Sequence, residues 1–161
     1  MTLNEYNRSV DSYSDNIYRF ILKNMRDEDK AKDVVQEAYT RLWEKLENVS
    51  AEKVKSYLFT SAYHIMIDMI RKDKRLTDFE NIDEREYLVF DQYSDLREIL
   101  DKAINKLPDN QRSVILLRDY EGYSYKEIAD ITGLSESQVK VYIFRGRVFL
   151  KDYIKSMDLV I

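Results

Sequence analysis

The chain has 161 residues, a mass of 19.3 kDa and a formal net charge of −4, a size that holds one ordinary domain or two small ones. It has no cysteine, one proline and three glycines, which excludes disulfide scaffolds, thiolate zinc sites and cysteine nucleophiles and disfavours turn-rich β folds. The acidic total argues against a nucleic-acid partner only if the charge is evenly spread, and it is not. Net charge is −2 over residues 1–50, +3 over 51–75, −6 over 76–110 and +1 over 111–161.

In chain order, Leu3, Tyr6, Val10, Tyr13, Ile17 and Ile21 recur every three or four residues and predict a first helix. After a break at Asn24–Asp29, a second helix carries the apolar stripe Ala31, Val34, Val35, Ala38, Tyr39, Leu42, Trp43 and Leu46. A third runs from about Val54 to Lys74 with Val54, Leu58, Ala62, Ile65 and Met69 inward. One of its flanks carries Tyr57, Thr60, Tyr63, His64 and Asp68, and it ends in Arg71, Lys72, Lys74 and Arg75. Rings and hydroxyls leading into a basic cluster suit single-stranded nucleic acid, where bases stack and cations hold phosphates. Tyrosines at that spacing also suit a core. Residues 76–93 hold 1 basic and 6 acidic side chains without a helical period and read as an acidic linker.

The second half opens with Ser94 as a candidate N-cap. Leu96, Ile99, Leu100, Ala103, Ile104 and Leu107 share one face, and Pro108 ends that helix. A short helix with Val114, Ile115 and Leu117 closes at Gly122. Two capping boxes follow, Ser124–Glu127 and Ser135–Gln138, each starting a helix. The pair joined at Gly133–Leu134, with Ala129 at the crossing, predicts a helix-turn-helix. Opposite the inward Val139, at 100° per residue, lie Ser137, Lys140, Val141, Phe144 and Arg145. Basic side chains there can meet guanine edges or phosphates, and Val141 and Phe144 can meet thymine methyls. Residues 137–155 carry a local charge of +4. No period-2 run exists, so the expected fold is all-α: a domain over 1–75, the linker 76–93 and a helix-turn-helix domain over 94–161.

Three blocks in this order resemble the extracytoplasmic-function (ECF) sigma factors of the sigma-70 family. They are DVVQEAYTRLWEKL (Asp33–Leu46), SYLFTSAYHIMIDMIRKDKR (Ser56–Arg75) and LPDNQRSVILLRDYEGYSYKEIADITGLSESQVKVYIFRGRVFL (Leu107–Leu150). The resemblance spans about Tyr6 to Ile154. It implies a subunit that binds core RNA polymerase, reads minus-35 and minus-10 promoter elements, aids melting and catalyses nothing itself. Asp33, Gln36, Glu37 and Arg41 would then face the clamp helices of the largest polymerase subunit, while the C-terminal domain meets the flap of the second. Glu47–Lys55, with Asn48 and Lys53, matches the loop that captures a base flipped from the minus-10 element.

Tyr57, Tyr63, His64, Asp68, Arg71 and Arg75 match the melting and strand-holding surface. Many relatives carry Trp at the place of Tyr57 and Asn at that of His64, which predicts an altered minus-10 preference. Ser135, Ser137, Gln138, Lys140, Val141, Phe144 and Arg145 match the minus-35 helix, with Arg112, Lys126 and Arg147 as phosphate contacts. Within polymerase the acidic linker would lie in channels that also take RNA. The resemblance also implies an anti-sigma partner. The rival reading of the residues is a dimeric helix-turn-helix regulator with the first bundle as sensor. No cofactor or metal site is expected, since His64 is the only histidine. No stretch is long and apolar enough to span a membrane, and the N-terminus carries no apolar export region, so a cytoplasmic protein is expected.

Overall fold

The computed structural model describes residues 1–77 and 96–158, with side chains for 1–75 and 96–156. The acidic linker therefore lies outside the described residues, apart from Leu76 and Thr77, and so does the Ser94 cap. Among the described residues all regular structure is helical.

The first helix, α1, spans Leu3–Met25. It starts at a capping box, in which Thr2 accepts from the Glu5 amide and the Glu5 carboxylate accepts from the Thr2 amide. The box fixes the register that turns Ile17, Phe20 and Ile21 inward. It leaves Leu3 in the first turn, beyond the core and 55% exposed, against the expectation of a continuous inward face. Arg26, in the left-handed region at φ 55°, ends α1. Asp27 then caps α2, Glu28–Glu44, by accepting from the Lys30 amide.

From α2, Ala31, Val34, Ala38, Tyr39 and Leu42 are buried. Trp43 was expected among them and is instead 53% exposed. It lies at the edge of the stripe and meets the Tyr6 ring, edge to face at 5.2 Å. A 3-10 turn, Leu46–Asn48, leads to α3, Val54–Thr77. Helices α1, α2 and α3 pack pairwise into a three-helix bundle. Its floor holds Phe20, Leu42, Leu58, Phe59 and Met66, each no more than 1% exposed.

In the second half, α4 spans Leu96–Lys106 and α5 spans Asp109–Ile115. Pro108 separates them, where its missing N–H costs nothing. The expected short helix closing at Gly122 is a composite. Helix α5 widens into a π turn over Leu116–Tyr120, with the Glu121 amide donating back to Leu116. Gly122 follows at φ 75°. Then come α6, Tyr125–Thr132, and α7, Glu136–Asp158.

Gly133 between them holds φ 79°, where a side chain would be strained. Ile128, Ile131, Val139 and Ile143 fill the crossing. Helix α7 also lies close on α5, since a Cβ on Gly146 would run into the Ile115 side chain, itself 1% exposed. Gly146→Ala should therefore destabilise the protein by about 1–3 kcal/mol through overpacking, read as a lower midpoint in urea denaturation.

The two halves pack against each other. Helix α3 lies on α6, and α1 on α4 and α5. One continuous apolar cluster runs from Ile17 and Phe59 through Tyr123 to Val139 and Ile143.

Candidate polymerase and nucleic-acid interfaces

Three surfaces carry the residues singled out by the sequence. On α2, Asp33, Gln36, Glu37, Thr40 and Arg41 are all exposed, a consequence of the inward stripe taking the opposite side. Glu37 and Arg41 pair one turn apart at 2.9 Å. Trp43 stands three residues beyond Thr40 and seven beyond Gln36, which sets its ring at the edge of this polar face. An exposed tryptophan beside polar groups is the residue type that anchors protein interfaces.

On α3, Tyr57, His64, Asp68, Arg71 and Arg75 fall within about 60° of arc at 100° per residue. All but Tyr57 are exposed. Tyr57 is half-buried, and its hydroxyl reaches toward the Arg41 carbonyl at 3.5 Å, which ties α3 to the face on α2. Asn48 and Lys53 are exposed in the turn that leads into α3. Tyr63 departs from this group. It lies about 100° from His64 around the helix, is 9% exposed and belongs to the core cluster. Burial holds its phenol above the ordinary tyrosine range. It supports the site from within and presents no free ring.

On α7, Ser137, Lys140, Val141, Phe144, Arg145 and Arg147 are exposed, and Lys126 is exposed on α6. Phe144 is 69% exposed and Val141 43%. Val139, at 0%, faces inward as its register required. Ser135 and Gln138 are used locally. The Ser135 hydroxyl accepts from the Gln138 amide at 3.1 Å, and the Gln138 side chain accepts from the Ser135 amide at 3.0 Å. They build the start of α7.

Arg147 is forked onto the Asp119 carboxylate. That hydrogen bond raises the arginine's pKa further. Tyr125, which sequence reasoning did not single out, places its ring beneath the Arg118 guanidinium at 4.6 Å and the Lys140 ammonium at 5.6 Å. The three residues come from different elements, so no spacing rule could have joined them.

Arg112 is not a surface cation. It is 8% exposed. Its five N–H groups go to the carbonyls of Ile104, Asn105, Leu107 and Asn24 and to Asp109. It caps the carbonyl end of α4, so the expected phosphate contact is replaced by a structural one. Among the described residues no group of His, Asp and Glu could hold a metal ion, and no helix is long and apolar enough to cross a membrane.

A bundle whose third helix carries a ring-and-cation stripe, followed by a helix-turn-helix with an exposed basic and aromatic face, is the architecture of a transcription initiation factor. Residues 10–76 match the family model "Sigma-70 region 2", and residues 97–150 match "Sigma-70, region 4". The chain is 31% identical to the ECF RNA polymerase sigma factor SigM of Bacillus subtilis (strain 168), over 86% of this chain and 88% of that protein. It is also 31% identical to SigX of the same organism, over 93% and 82%. The chain belongs to the ECF sigma factors of bacterial RNA polymerase, transcription initiation factors that are not enzymes in themselves. Its fold is similar to that of the sigma factor RpoE from Bartonella quintana, with a TM-score of 0.81 and 24% identity over 95% of this chain and 98% of that one. CnrH shows the same fold with a TM-score of 0.70 at 22% identity, over 94% and 88%.

Proposed function

We propose that this sigma factor recruits core polymerase through the exposed face of α2 and reads a promoter in two parts. The minus-35 element is read in the major groove by Lys140, Val141, Phe144 and Arg145, with Ser137 beside them and Lys126 and Arg147 on phosphates. The minus-10 strand is held by Tyr57, His64, Asp68, Arg71 and Arg75 as it melts, with Asn48 and Lys53 beside a captured base.

The observation that carries this reading is Phe144, whose exposure on a basic helix has no structural purpose and fits a groove lined by methyl groups. Trp43 joins Asp33, Gln36, Glu37 and Arg41 in meeting the clamp helices of the polymerase, and α5–α7 meets the flap. The chain works in the cytoplasm, where the polymerase is. The solved structures of RpoE and CnrH contain the anti-sigma factor NepR and the cytosolic domain of CnrY. An anti-sigma protein is the corresponding partner here. The domain limits 1–75 and 94–161, with 76–93 between them, complete the reading.

The test is co-purification. The chain should elute with purified core polymerase and, alone, should leave a palindromic duplex unshifted. A dimeric repressor would do the reverse. Within the reading surface, Asp119→Ala removes a carboxylate and releases Arg147. Duplex affinity should rise a few-fold, because the phosphate contact of Arg147 no longer competes with a carboxylate, measured by fluorescence anisotropy.

A further inference from the structure

Lys140 follows Val139, which is buried at 0% exposure and sets the direction in which Lys140 leaves α7. Its four-carbon stem is nonetheless flexible, and its ammonium is a compact charge with no preferred plane. A lysine free to swing reaches the edges of several base pairs and favours none of them. The structure supplies a restraint from the other helix of the helix-turn-helix. Tyr125, the first residue of α6, sets its ring centroid 5.6 Å from the Lys140 ammonium. The Arg118 guanidinium lies 4.6 Å from the same centroid.

Tyr125 is itself held. It is half-buried and packs against the apolar cluster. It follows Ser124, whose capping box with Glu127 fixes the first turn of α6. Arg118 donates to the Tyr123 carbonyl at 2.9 Å, so the second cation at the ring is anchored to the backbone two residues before it. Arg147 shows the contrasting arrangement, forked onto the Asp119 carboxylate. A carboxylate accepts the N–H groups and neutralises the charge, and it must be displaced before DNA can take them. A ring face attracts the cation through its quadrupole and leaves the charge intact. Of the three donors of an ammonium, some then remain for a base edge.

We propose that Tyr125 is a positioning residue for the minus-35 element: its ring holds the Lys140 ammonium in one place and so narrows the choice of base that Lys140 makes. The holding is a property of the free chain; its effect on base choice rests on the promoter reading above. Tyr125 acts through Lys140 and not by contact with a base.

Two measurements test this. In the free chain, labelled with carbon-13 at lysine, the ring current of Tyr125 should shift the Lys140 ε-methylene protons upfield. Tyr125→Leu should return them to the ordinary lysine position, and Tyr125→Phe should keep them shifted. An ordinary position in the native chain, or an unchanged shift in Tyr125→Leu, overturns the proposal. Core polymerase with the full chain would then be run on a promoter fragment found by transcript mapping, and on single-base variants of its upstream element. Lys140→Ala identifies the base pair that Lys140 reads. Tyr125→Leu should lower discrimination at that pair about two- to five-fold, leave it unchanged at the others and add nothing on a Lys140→Ala background. Tyr125→Phe should restore it. A loss spread over every pair, or an equal loss without Lys140, makes Tyr125 a packing residue and overturns the proposal. If Lys140→Ala changes discrimination at no pair, the reading of bases by Lys140 fails and the effect of Tyr125 on base choice with it, while the ring-current shift still decides the holding.

Discussion

Replacing Trp43 by alanine should weaken binding to core polymerase by about 30-fold or more, the roughly 2 kcal/mol typical of a buried interface anchor. The ring is half exposed in the free chain, with Tyr6 edge to face beside it, so about half of its apolar area is available for a partner to cover. Truncation should cost the fold little, because the α2 core is carried by Ala31, Val34, Ala38 and Leu42, each at 0% exposure. Titrating labelled protein with core polymerase measures the loss, and thermal melting of the variant confirms the fold. Thr40→Ala, on the same face without a large ring, should change affinity far less. Loss of folding with unchanged affinity per folded molecule would return Trp43 to a purely structural role.

The second large effect is at Arg145. Arg145→Ala should cost about 1–3 kcal/mol of affinity for the minus-35 duplex and relax discrimination at one base pair. Arg145 is exposed next to Phe144, on a helix fixed from below by Val139 and Ile143 and at its start by the Ser135–Gln138 box. Its guanidinium therefore projects from a rigid support, which a two-pronged contact to guanine requires. Binding measured against a set of single-base variants distinguishes the outcomes. A uniform loss on every sequence would make Arg145 a phosphate contact.

Much of this was legible in the sequence because periodicity and capping are local. The Ser124 and Ser135 boxes, the Gly133 turn and the inward Val139 fixed the orientation of α7, and Lys140, Val141, Phe144 and Arg145 emerged on the outer face as expected. What local rules could not settle was the border of a stripe and the fate of a lone polar group. Leu42 and Trp43 both fit an apolar run, but only Leu42 points into the bundle. Tyr63 adjoins His64 in the chain, yet one residue of rotation takes it from the surface into the core. Arg112 counts as a cation in any composition, while in space it closes the carbonyl end of α4 and touches Asn24, far away in sequence. The packing of the two halves was equally invisible, since Arg19, Lys23 and Lys74 meet Glu121, Asp101 and Asp109 across the tertiary contact. The acidic total of −4 misled because the acidic groups are concentrated over residues 76–110, which carry −6, while 51–75 carry +3.

The central claim is that this chain directs polymerase to bipartite promoters, and run-off transcription tests it most directly. Core polymerase from the organism that encodes the chain would be combined with the purified protein on genomic fragments, and the transcript 5′ ends mapped. The account predicts discrete starts that depend on the protein and are preceded by two shared elements at fixed spacing, with Arg145→Ala reducing them. The same transcripts with and without the protein would contradict it.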